Sequence, residues 1–419
     1  METSEKIKYF RKTLNISQQT LALGICSTSY LSKIENGQTV PSEDILQLLG
    51  KRLGVDLDDE NHNQELELLI DDWTKSILFK DVELARNLYT KLKNSTITNI
   101  EHRLRFTLSQ TLFYLMVDPK PRIAKKHFNE VIILEDLFKN KSRLYFFLVK
   151  GVSCYYEGKY SESYKALLSA ENLIFLLKLH IWEKGYLYYL LGLVTNMLWK
   201  NIASLDYTRI ALKHFEENYL FKRCADCRIL LGIINQRIEN WEEAIRQFEL
   251  AATIANAFDD DKLKGSIYQN LGYIESKREH SESAINYYKQ SLDYKQNQPS
   301  LSQVKTVYSL IKEYANLNNS HEGMMLVEKG LKLTQGNKSL LEFNILISYY
   351  HLVFSLGKNH STTFEYLKSE VIQYFEQKQN WVYLAEFYQV AAKYYENEFK
   401  YKQSSTFYSK AIMAMNKLN

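Results

Sequence analysis

The sequence is poor in the residues that interrupt helices. Its 419 residues include only four prolines and 15 glycines. A β-protein of this length needs many tight turns, and glycine and proline dominate such turns. The shortage therefore argues against an all-β fold and favours long helices.

Other features are scarce as well. Residues 1–6 contain no apolar segment of the kind found in a signal peptide. The nearest approach to a long apolar run, at residues 173–179, is far too short to span a membrane. The cysteines are too few for a disulfide framework in so long a chain: Cys26, Cys154, Cys224 and Cys227. Together these absences predict a cytoplasmic protein.

The net charge of the chain says little about whether it binds nucleic acid. The net charge of +4 is too small to predict nucleic-acid binding along the whole chain. Residues 1–56 contain seven Lys or Arg against six Asp or Glu. A local basic group does occur in the first predicted helix, at Lys6, Lys8, Arg11 and Lys12. Because the overall field is weak, a prediction of DNA binding must rest on the local pattern.

Residues 1–56 alternate between short amphipathic helices and turn signals. Ser17 and Ser27 are suitable N-caps for two short helices, and Gly24 separates the two. A further helix follows Pro41-Ser42. Two short helices joined by a glycine turn inside a small bundle predict a helix-turn-helix DNA-binding domain.

This segment resembles the Xre, or lambda-repressor-like, helix-turn-helix. The resemblance rests on residues in order over nearly the whole domain: Ser17-Gln18, Leu21-Ala22, Ser29-Tyr30-Leu31-Ser32-Lys33-Ile34-Glu35-Asn36-Gly37, Pro41-Ser42 and Leu53-Gly54-Val55. It implies that Leu31 and Ile34 are core residues and that Glu35 is a structural partner. It also implies contacts to DNA phosphates or base edges from five residues: Gln18, Thr28, Ser29, Ser32 and Lys33. A solvated helix start is the alternative interpretation of Thr28 and Ser29.

A polar, acidic linker is predicted at residues 57–64, and a repeat domain at residues 65–419. Four glycines recur at intervals of 41, 40 and 40 residues: Gly151, Gly192, Gly232 and Gly272. Small residues follow twelve positions later, at Ser163, Ser204, Ala244 and Ala284. Others follow nineteen positions later, at Ala170, Ala211, Ala251 and Ser291.

This pattern is typical of tetratricopeptide repeats, in which helix pairs pack closely where side chains are small. The period exceeds the usual length of about 34 residues, so the helices or their loops must be longer than standard. The predicted fold is all-α: a helix-turn-helix bundle followed by a right-handed superhelix of about 8–9 helix pairs.

The first helix of each pair should line a concave face. The repeat pattern places polar and aromatic residues on or near it: Tyr186, Tyr189, Asn196, Asp226, Gln236, Arg237, Gln269, Asn270, Tyr273, Asn316, Tyr350 and Gln389. An amide side chain both donates to and accepts from a peptide backbone, and an arginine pairs with a carboxylate. These residues predict a groove for an extended peptide. A solvated channel without a fixed ligand is the alternative.

The combination of an Xre-type domain with many long repeats resembles the peptide-pheromone receptors of Gram-positive bacteria, the Rap/Rgg/NprR/PlcR/PrgX family, and is most like the NprR type. The resemblance implies homodimers or tetramers, a short signalling peptide in the groove, and peptide-dependent DNA binding at a pseudo-palindromic operator. It also implies a possible second role, in which the peptide-free protein sequesters a response regulator of the sporulation phosphorelay.

Catalytic interpretations are weak. The sequence has neither a G-x-x-x-x-G-K-[ST] loop nor a G-x-G-x-x-G motif. His321-Glu322 begins like a zinc-protease motif, but Met325 stands where the second histidine is needed. Cys224 and Cys227 form a lone C-x-x-C, for which a structural role is favoured over zinc or redox chemistry. The sequence therefore predicts no enzyme, cofactor or metal site, and favours a transcription regulator over an interaction protein.

Overall fold

The computed structural model describes residues 3–55, 57, 64–95, 97 and 99–417. In these residues all regular secondary structure is helical. The chain falls into two compact units, residues 1–234 and 235–419, which are described separately.

The first unit begins with a four-helix bundle: α1 (Thr3–Thr13), α2 (Gln18–Ala22), α3 (Thr28–Glu35) and α4 (Glu43–Leu53). The Ser17 hydroxyl accepts a hydrogen bond from the Thr20 backbone N–H, and the Ser27 hydroxyl accepts one from that of Tyr30. Both serines are therefore N-caps, as predicted. Gly54 ends α4 with a φ of 71°, a left-handed conformation that glycine adopts without a steric penalty.

The bundle has its own apolar core, which consists of Ile7, Leu21, Ala22, Leu31, Ile34, Leu49, Leu53 and Leu57. Leu57 is the last of these, and its carbonyl accepts a hydrogen bond of 2.7 Å from Lys6 Nζ. Leu57 thus packs with the bundle, although it is the first residue of the predicted linker. Residues 58–63 of that linker lie outside the described residues, so its remaining extent stays a prediction.

Helix pairs follow in the first unit: α5 (Gln64–Leu78) with α6 (Val82–Lys93), α7 (Ile100–Met116) with α8 (Pro121–Ile132), α9 (Asn140–Tyr156) with α10 (Tyr160–Ile174), and α11 (Ile181–Met197) with α12 (Asn201–Glu216). A short 3-10 turn, Glu135–Leu137, precedes α9. The next helix, α13 (Phe221–Arg237), contains the boundary between the two units.

The second unit continues the series: α14 (Trp241–Ala257), α15 (Asp261–Lys277) with α16 (Ser281–Tyr294), α17 (Ser300–Asn316) with α18 (Ser320–Thr334), α19 (Leu341–Leu356) with α20 (Ser361–Tyr366) and α21 (Gln373–Lys378), and α22 (Trp381–Asn397) with α23 (Tyr401–Asn416). A π-helical segment, Leu367–Ile372, joins α20 to α21. Within the described residues of the two units, eight helix pairs follow the bundle, and α13 and α14 stand on either side of the boundary between the units.

The small residues of the 40-residue register lie at helix crossings. All eight are fully buried: Ser163, Ala170, Ser204, Ala211, Ala244, Ala251, Ala284 and Ser291. The Ser163 hydroxyl donates to the Gly151 carbonyl at 2.6 Å, and the Ser204 hydroxyl donates to the Gly192 carbonyl at 2.7 Å. In these two pairs the serine hydroxyl has its hydrogen-bond partner on the facing helix, and the two backbones can approach closely.

One apolar helix needs explanation. Residues 338–356 are long and apolar enough to cross a membrane by length and composition alone. In the second unit 39% of the stretch is buried, and α19 contributes seven buried residues: Phe343, Ile345, Leu346, Ile347, Tyr349, Tyr350 and Val353. Its composition is that expected of a helix covered by neighbours.

The close crossing at Gly272 generates a stability prediction. A Cβ atom at this position would lie 2.6 Å from Cδ1 of Tyr288. Alanine favours a helix over glycine by about 1 kcal/mol, yet the overlap with a buried ring should dominate. We expect Gly272→Ala to lower the free energy of unfolding by about 1–3 kcal/mol, measured by thermal and urea denaturation. Lys262→Ala, at an exposed position of the same helix, should be nearly neutral. A stabilised Gly272→Ala protein would contradict the register.

Candidate functional site

The recognition helix α3 has one buried and one open side. Leu31 and Ile34 are fully buried, as predicted. The other side of the helix, with the beginning of α2, carries the five predicted DNA contacts. Thr28, Ser29 and Lys33 are exposed, whereas Gln18 and Ser32 are half-buried. The open side of α3 is therefore accessible to a DNA groove, and the contacts themselves stay predictions.

A buried carboxylate holds the helix-turn-helix together. Glu35 accepts hydrogen bonds from Arg11 Nε at 2.5 Å and Arg11 Nη2 at 2.8 Å, and from Gln18 Nε2 at 2.8 Å. These bonds join the ends of α1 and α3 to the start of α2. Glu35 is thus a structural partner, as the Xre resemblance implied, because a buried carboxylate requires such partners. The Glu35 carboxylate therefore already holds the amide group of Gln18, one of the five predicted DNA contacts.

The first unit encloses a cavity of about 240 Å³. Tyr186 and Tyr189 of α11 line it, together with Tyr155 and Tyr156 of α9. Apolar side chains complete much of the wall: Met116, Val152, Leu167, Leu190, Leu193 and Val194. A small cavity walled by tyrosines and aliphatic side chains suits an apolar or aromatic group of a ligand.

Two charged residues, Lys80 and Arg223, also line this cavity, and sequence reasoning missed both. The Arg223 guanidinium donates to the carboxylate of Asp226 at 2.6 Å and to the carbonyl of Leu78 at 2.5 Å. It also lies over the Phe79 ring, 4.7 Å from the centroid. Arg223 therefore joins α13 to the end of α5, although 145 positions separate Arg223 from Leu78. No local pattern marks a contact between positions so far apart.

Of the predicted groove residues in the first unit, Tyr186, Tyr189 and Asn196 are buried on α11, and Asp226 is half-buried on α13. Burial raises the pKa of the Tyr186 and Tyr189 hydroxyls, which keeps them protonated and able to donate. Asp226 is occupied by Arg223. The structure thus brings Tyr186, Tyr189 and Asp226 into or next to the cavity.

In the second unit the predicted amides have varied surroundings. Gln236 is half-buried, and the structure gives no hydrogen-bond partner for its Oε1 among the described residues. Arg237 is half-buried, and burial lowers its pKa. The Asn270 amide donates to the Ser266 carbonyl at 2.9 Å. Tyr273 is 41% exposed.

Gln269 is already engaged. Its Oε1 accepts from Thr306 Oγ1 at 2.6 Å and from Lys295 Nζ at 3.3 Å, and its Nε2 donates to Ser309 Oγ at 3.1 Å. Burial lowers the pKa of Lys295 to about 8. Gln269 therefore joins α15 to α17, and a ligand that used this amide would have to displace internal partners.

Two more places in the second unit carry polar groups. Asn316 is exposed and lines an open cavity of about 750 Å³ with Ser276, Glu279, His280, Ser281, Glu282, Ser283 and Leu317. Lys312 of α17 pairs with Glu386 of α22 at 2.6 Å. Tyr350 is buried and Gln389 is half-buried. Sequence reasoning missed the Lys312–Glu386 pair, because its members are 74 positions apart.

The weak catalytic signals gain no support. Within the described part of the chain, no three His, Cys, Asp or Glu residues are grouped so as to hold a metal ion. Cys224 and Cys227 are buried thiols, and burial raises the pKa of Cys224 to about 11. A thiol with a raised pKa is a poor nucleophile and metal ligand at neutral pH.

Comparison with known proteins agrees with this architecture. A helix-turn-helix family model matches residues 7–59, and a tetratricopeptide-repeat family model matches residues 225–297. The transcriptional activator NprA of Geobacillus stearothermophilus is 32% identical over 401 residues, which are 93% of this chain and 97% of the relative. The chain belongs to the Rap/Rgg/NprR/PlcR/PrgX family and is of the NprR type.

Other members of this family are more distant in sequence and alike in fold. The regulatory protein RapG of Bacillus subtilis is 23% identical over 362 residues, covering 83% of this chain and 95% of the relative. The apo form of the quorum sensor NprR from B. thuringiensis has a TM-score of 0.74 at 19% identity, over 84% of this chain and 99% of that structure. The predicted fold class, a helix-turn-helix bundle with a tetratricopeptide superhelix, is confirmed.

The Arg223 contacts generate a prediction. Arg223→Met would leave the Asp226 carboxylate and the Leu78 carbonyl without their charged donor. We expect a loss of about 2 kcal/mol or more in unfolding free energy, since one half of a largely buried pair is removed. Adding Asp226→Leu should recover part of the loss. Arg228→Gln, which disrupts the half-exposed pair with Glu216, should cost less than about 1 kcal/mol. Equal denaturation midpoints for Arg223→Met and Arg228→Gln would refute this role.

Proposed function

We propose that this chain is a cytoplasmic quorum-sensing transcription regulator. It binds double-stranded DNA as a symmetric oligomer, under control of a short signalling peptide held on the concave faces of the repeats. The observation that carries the proposal is the accessible recognition helix joined to repeats in one chain, with a transcriptional activator as a relative over 93% of the length. Residues 1–56 are the DNA-binding part, and residues 65–419 receive the signal.

The proposed peptide contacts are those predicted from the repeat pattern: Tyr189, Asn196, Asp226, Gln236, Arg237, Gln269, Asn270, Tyr273 and Asn316. The tyrosine-lined cavity supports the first-unit part of this assignment, because it offers an apolar pocket beside hydroxyl donors. Arg237 supports the second-unit part, since it is half-buried and an arginine side chain can pair with a carboxylate of a ligand. A structure of NprR in complex with its cognate peptide NprX has the same fold, with a TM-score of 0.61.

A second function is proposed on the basis of the Rap relatives. Response regulator aspartate phosphatase A of Bacillus subtilis is 23% identical over 297 residues, which are 68% of this chain. By this proposal the peptide-free chain sequesters a response regulator of the sporulation phosphorelay.

The DNA contacts lead to a mutational prediction. Lys33→Ala and Ser29→Ala should each weaken binding to a pseudo-palindromic operator by about 1–3 kcal/mol, because they remove exposed donors of the recognition helix. The operator half-sites should be centred about 34 Å apart or a multiple of that distance. Fluorescence anisotropy with the chain's own promoter region measures the affinity. Lys93→Ala, exposed in the repeats, is the control, and unchanged operator affinity in both recognition-helix variants would show that another surface reads the DNA.

The proposed peptide contacts lead to a second mutational prediction. Asn270→Ala and Arg237→Ala should leave the fold intact and weaken peptide binding, each lost hydrogen bond costing about 0.5–1.5 kcal/mol and a lost charged pair more. Calorimetry with synthetic peptides of about five to ten residues, from a small secreted precursor encoded beside the gene, measures the affinity; this length fits an extended chain crossing several repeats. Lys262→Ala, exposed on the helix that carries Asn270, is the control. Unchanged affinity in both variants would show that the peptide binds elsewhere in the repeats. Failure of every peptide to bind the parent protein would favour the response-regulator function.

A further inference from the structure

The first helix of the DNA-binding bundle packs against the repeats of its own unit. Lys8 Nζ lies 2.5 Å from one oxygen of Asp136, and Lys12 Nζ lies 2.6 Å from the other. Lys12 Nζ also donates to the carbonyl of Ile133 at 2.9 Å. Asp136 lies in the 3-10 turn between α8 and α9. One repeat carboxylate therefore holds two cations of the DNA-binding domain.

Further contacts make this a defined surface. Glu5 pairs with Lys139, so that charges of both signs are matched across it. Tyr9, which is 5% exposed, interacts through its hydroxyl with Arg103 of α7. We call the set formed by Glu5, Lys8, Tyr9 and Lys12 with Arg103, Asp136 and Lys139 the docking contact.

With the docking contact included, the four basic side chains of α1 all have partners within the protein. Lys6 donates to the Leu57 carbonyl and Arg11 pairs with Glu35, both within the bundle. Lys8 and Lys12, with side chains 19% and 24% exposed, pair with Asp136. All four cations that make α1 basic in sequence are thus engaged inside the protein. The open side of α3, in contrast, stays accessible.

Asp136 presents the chemistry of a DNA phosphate to these lysines. Burial opposes ionisation of Asp136, but hydrogen bonds from Lys12 and Lys8 outweigh it and lower the pKa of the carboxyl. The group therefore stays anionic at neutral pH. Lysine ammonium groups bind a phosphate oxygen as they bind a carboxylate oxygen, as charge-assisted donors. Because Asp136 is 44% exposed in its side chain, these pairs are weak enough to exchange for another anion.

We propose that Asp136 is an intramolecular competitor for the DNA backbone. In the docked state Asp136 pairs with Lys8 and Lys12, so α1 contributes no free lysine to DNA and the contacts come from the recognition helix. In the undocked state both lysines are phosphate-binding residues and raise affinity for any duplex. The proposal rests on the proposed function as a DNA-binding protein and adds to it a regulated, sequence-independent term. A signal that favours one state shifts DNA affinity by its preference for that state.

The test compares full-length Asp136→Asn with the parent on two unrelated 20-bp duplexes, neither taken from the promoter region. Each phosphate contact contributes a slope of about −0.9 to log K against log salt, so two released lysines should steepen the slope by about 1.8. We expect about tenfold tighter binding at 50 mM salt and little gain at 200 mM. Both duplexes should gain equally, because phosphate contacts carry no sequence information.

Asp118→Asn is the matched control. Asp118 pairs with Lys120 inside the repeats, so this variant makes the same change in net charge and leaves the docking contact intact. Its affinity should stay near that of the parent. In a Lys8→Gln/Lys12→Gln background, Asp136→Asn should give no gain, since no lysines are released.

Specific outcomes overturn the proposal. Equal affinities and salt slopes for Asp136→Asn and the parent would show that the lysines are not held back from DNA. Equal gains for Asp136→Asn and Asp118→Asn would assign the effect to net charge alone. Weaker binding by Asp136→Asn would show that docking supports DNA binding instead of opposing it. If neither parent nor variants bind any duplex or the promoter region, the proposed DNA-binding function itself fails.

Discussion

Close backbone approach at small residues is the constraint on which the repeat units depend. At Gly151 a Cβ atom would lie 2.6 Å from Cδ2 of Leu167, sixteen positions later, and at Gly272 it would meet Tyr288 in the same way. The 40-residue register therefore places each of these glycines under the side chain sixteen positions later, a large one at Leu167 and Tyr288 and a smaller one, Thr208, at Gly192. These crossings lie within a pair, so they set how closely the two helices of that pair pack.

The same constraint explains how much could be predicted from sequence. Glycines and small residues at fixed intervals, and serines before two short helices, are local patterns, so the fold class, the repeat register and the helix-turn-helix were accessible. The turns were not. In the described residues eleven non-glycine residues have a positive φ, among them Trp199, Glu239, Glu279 and Asn318. Nothing in the sequence marks a tryptophan or a glutamate as a turn residue, because tertiary packing of the two flanking helices imposes the conformation.

The peptide contacts stay predictions, and the sequence pattern says more about their positions on the helices than about their chemistry. The repeat pattern predicted Tyr186 and Tyr189 on the concave face, and both line a cavity of the first unit. It could not show that Gln269 is held by Lys295 and Thr306, or that Arg223 reaches Leu78. Periodicity specifies which face of a helix a residue occupies. It carries no information about partners contributed by distant helices, and those partners decide whether a polar group is available to a ligand.

The non-glycine turns have a consequence for the evolution of this chain. A left-handed conformation costs a residue with a Cβ about 1–2 kcal/mol, whereas glycine adopts it freely at some cost in chain entropy. Glycine at Trp199, Glu239 or Glu279 should therefore yield a net gain of about 0.5–1 kcal/mol per turn. These turns lie at helix ends; Trp199 is not among the residues that line the cavity of the first unit, whereas Glu279 lines the open cavity of the second. Glycine substitutions in these connections could therefore stabilise the protein and offset destabilising changes elsewhere in the repeats.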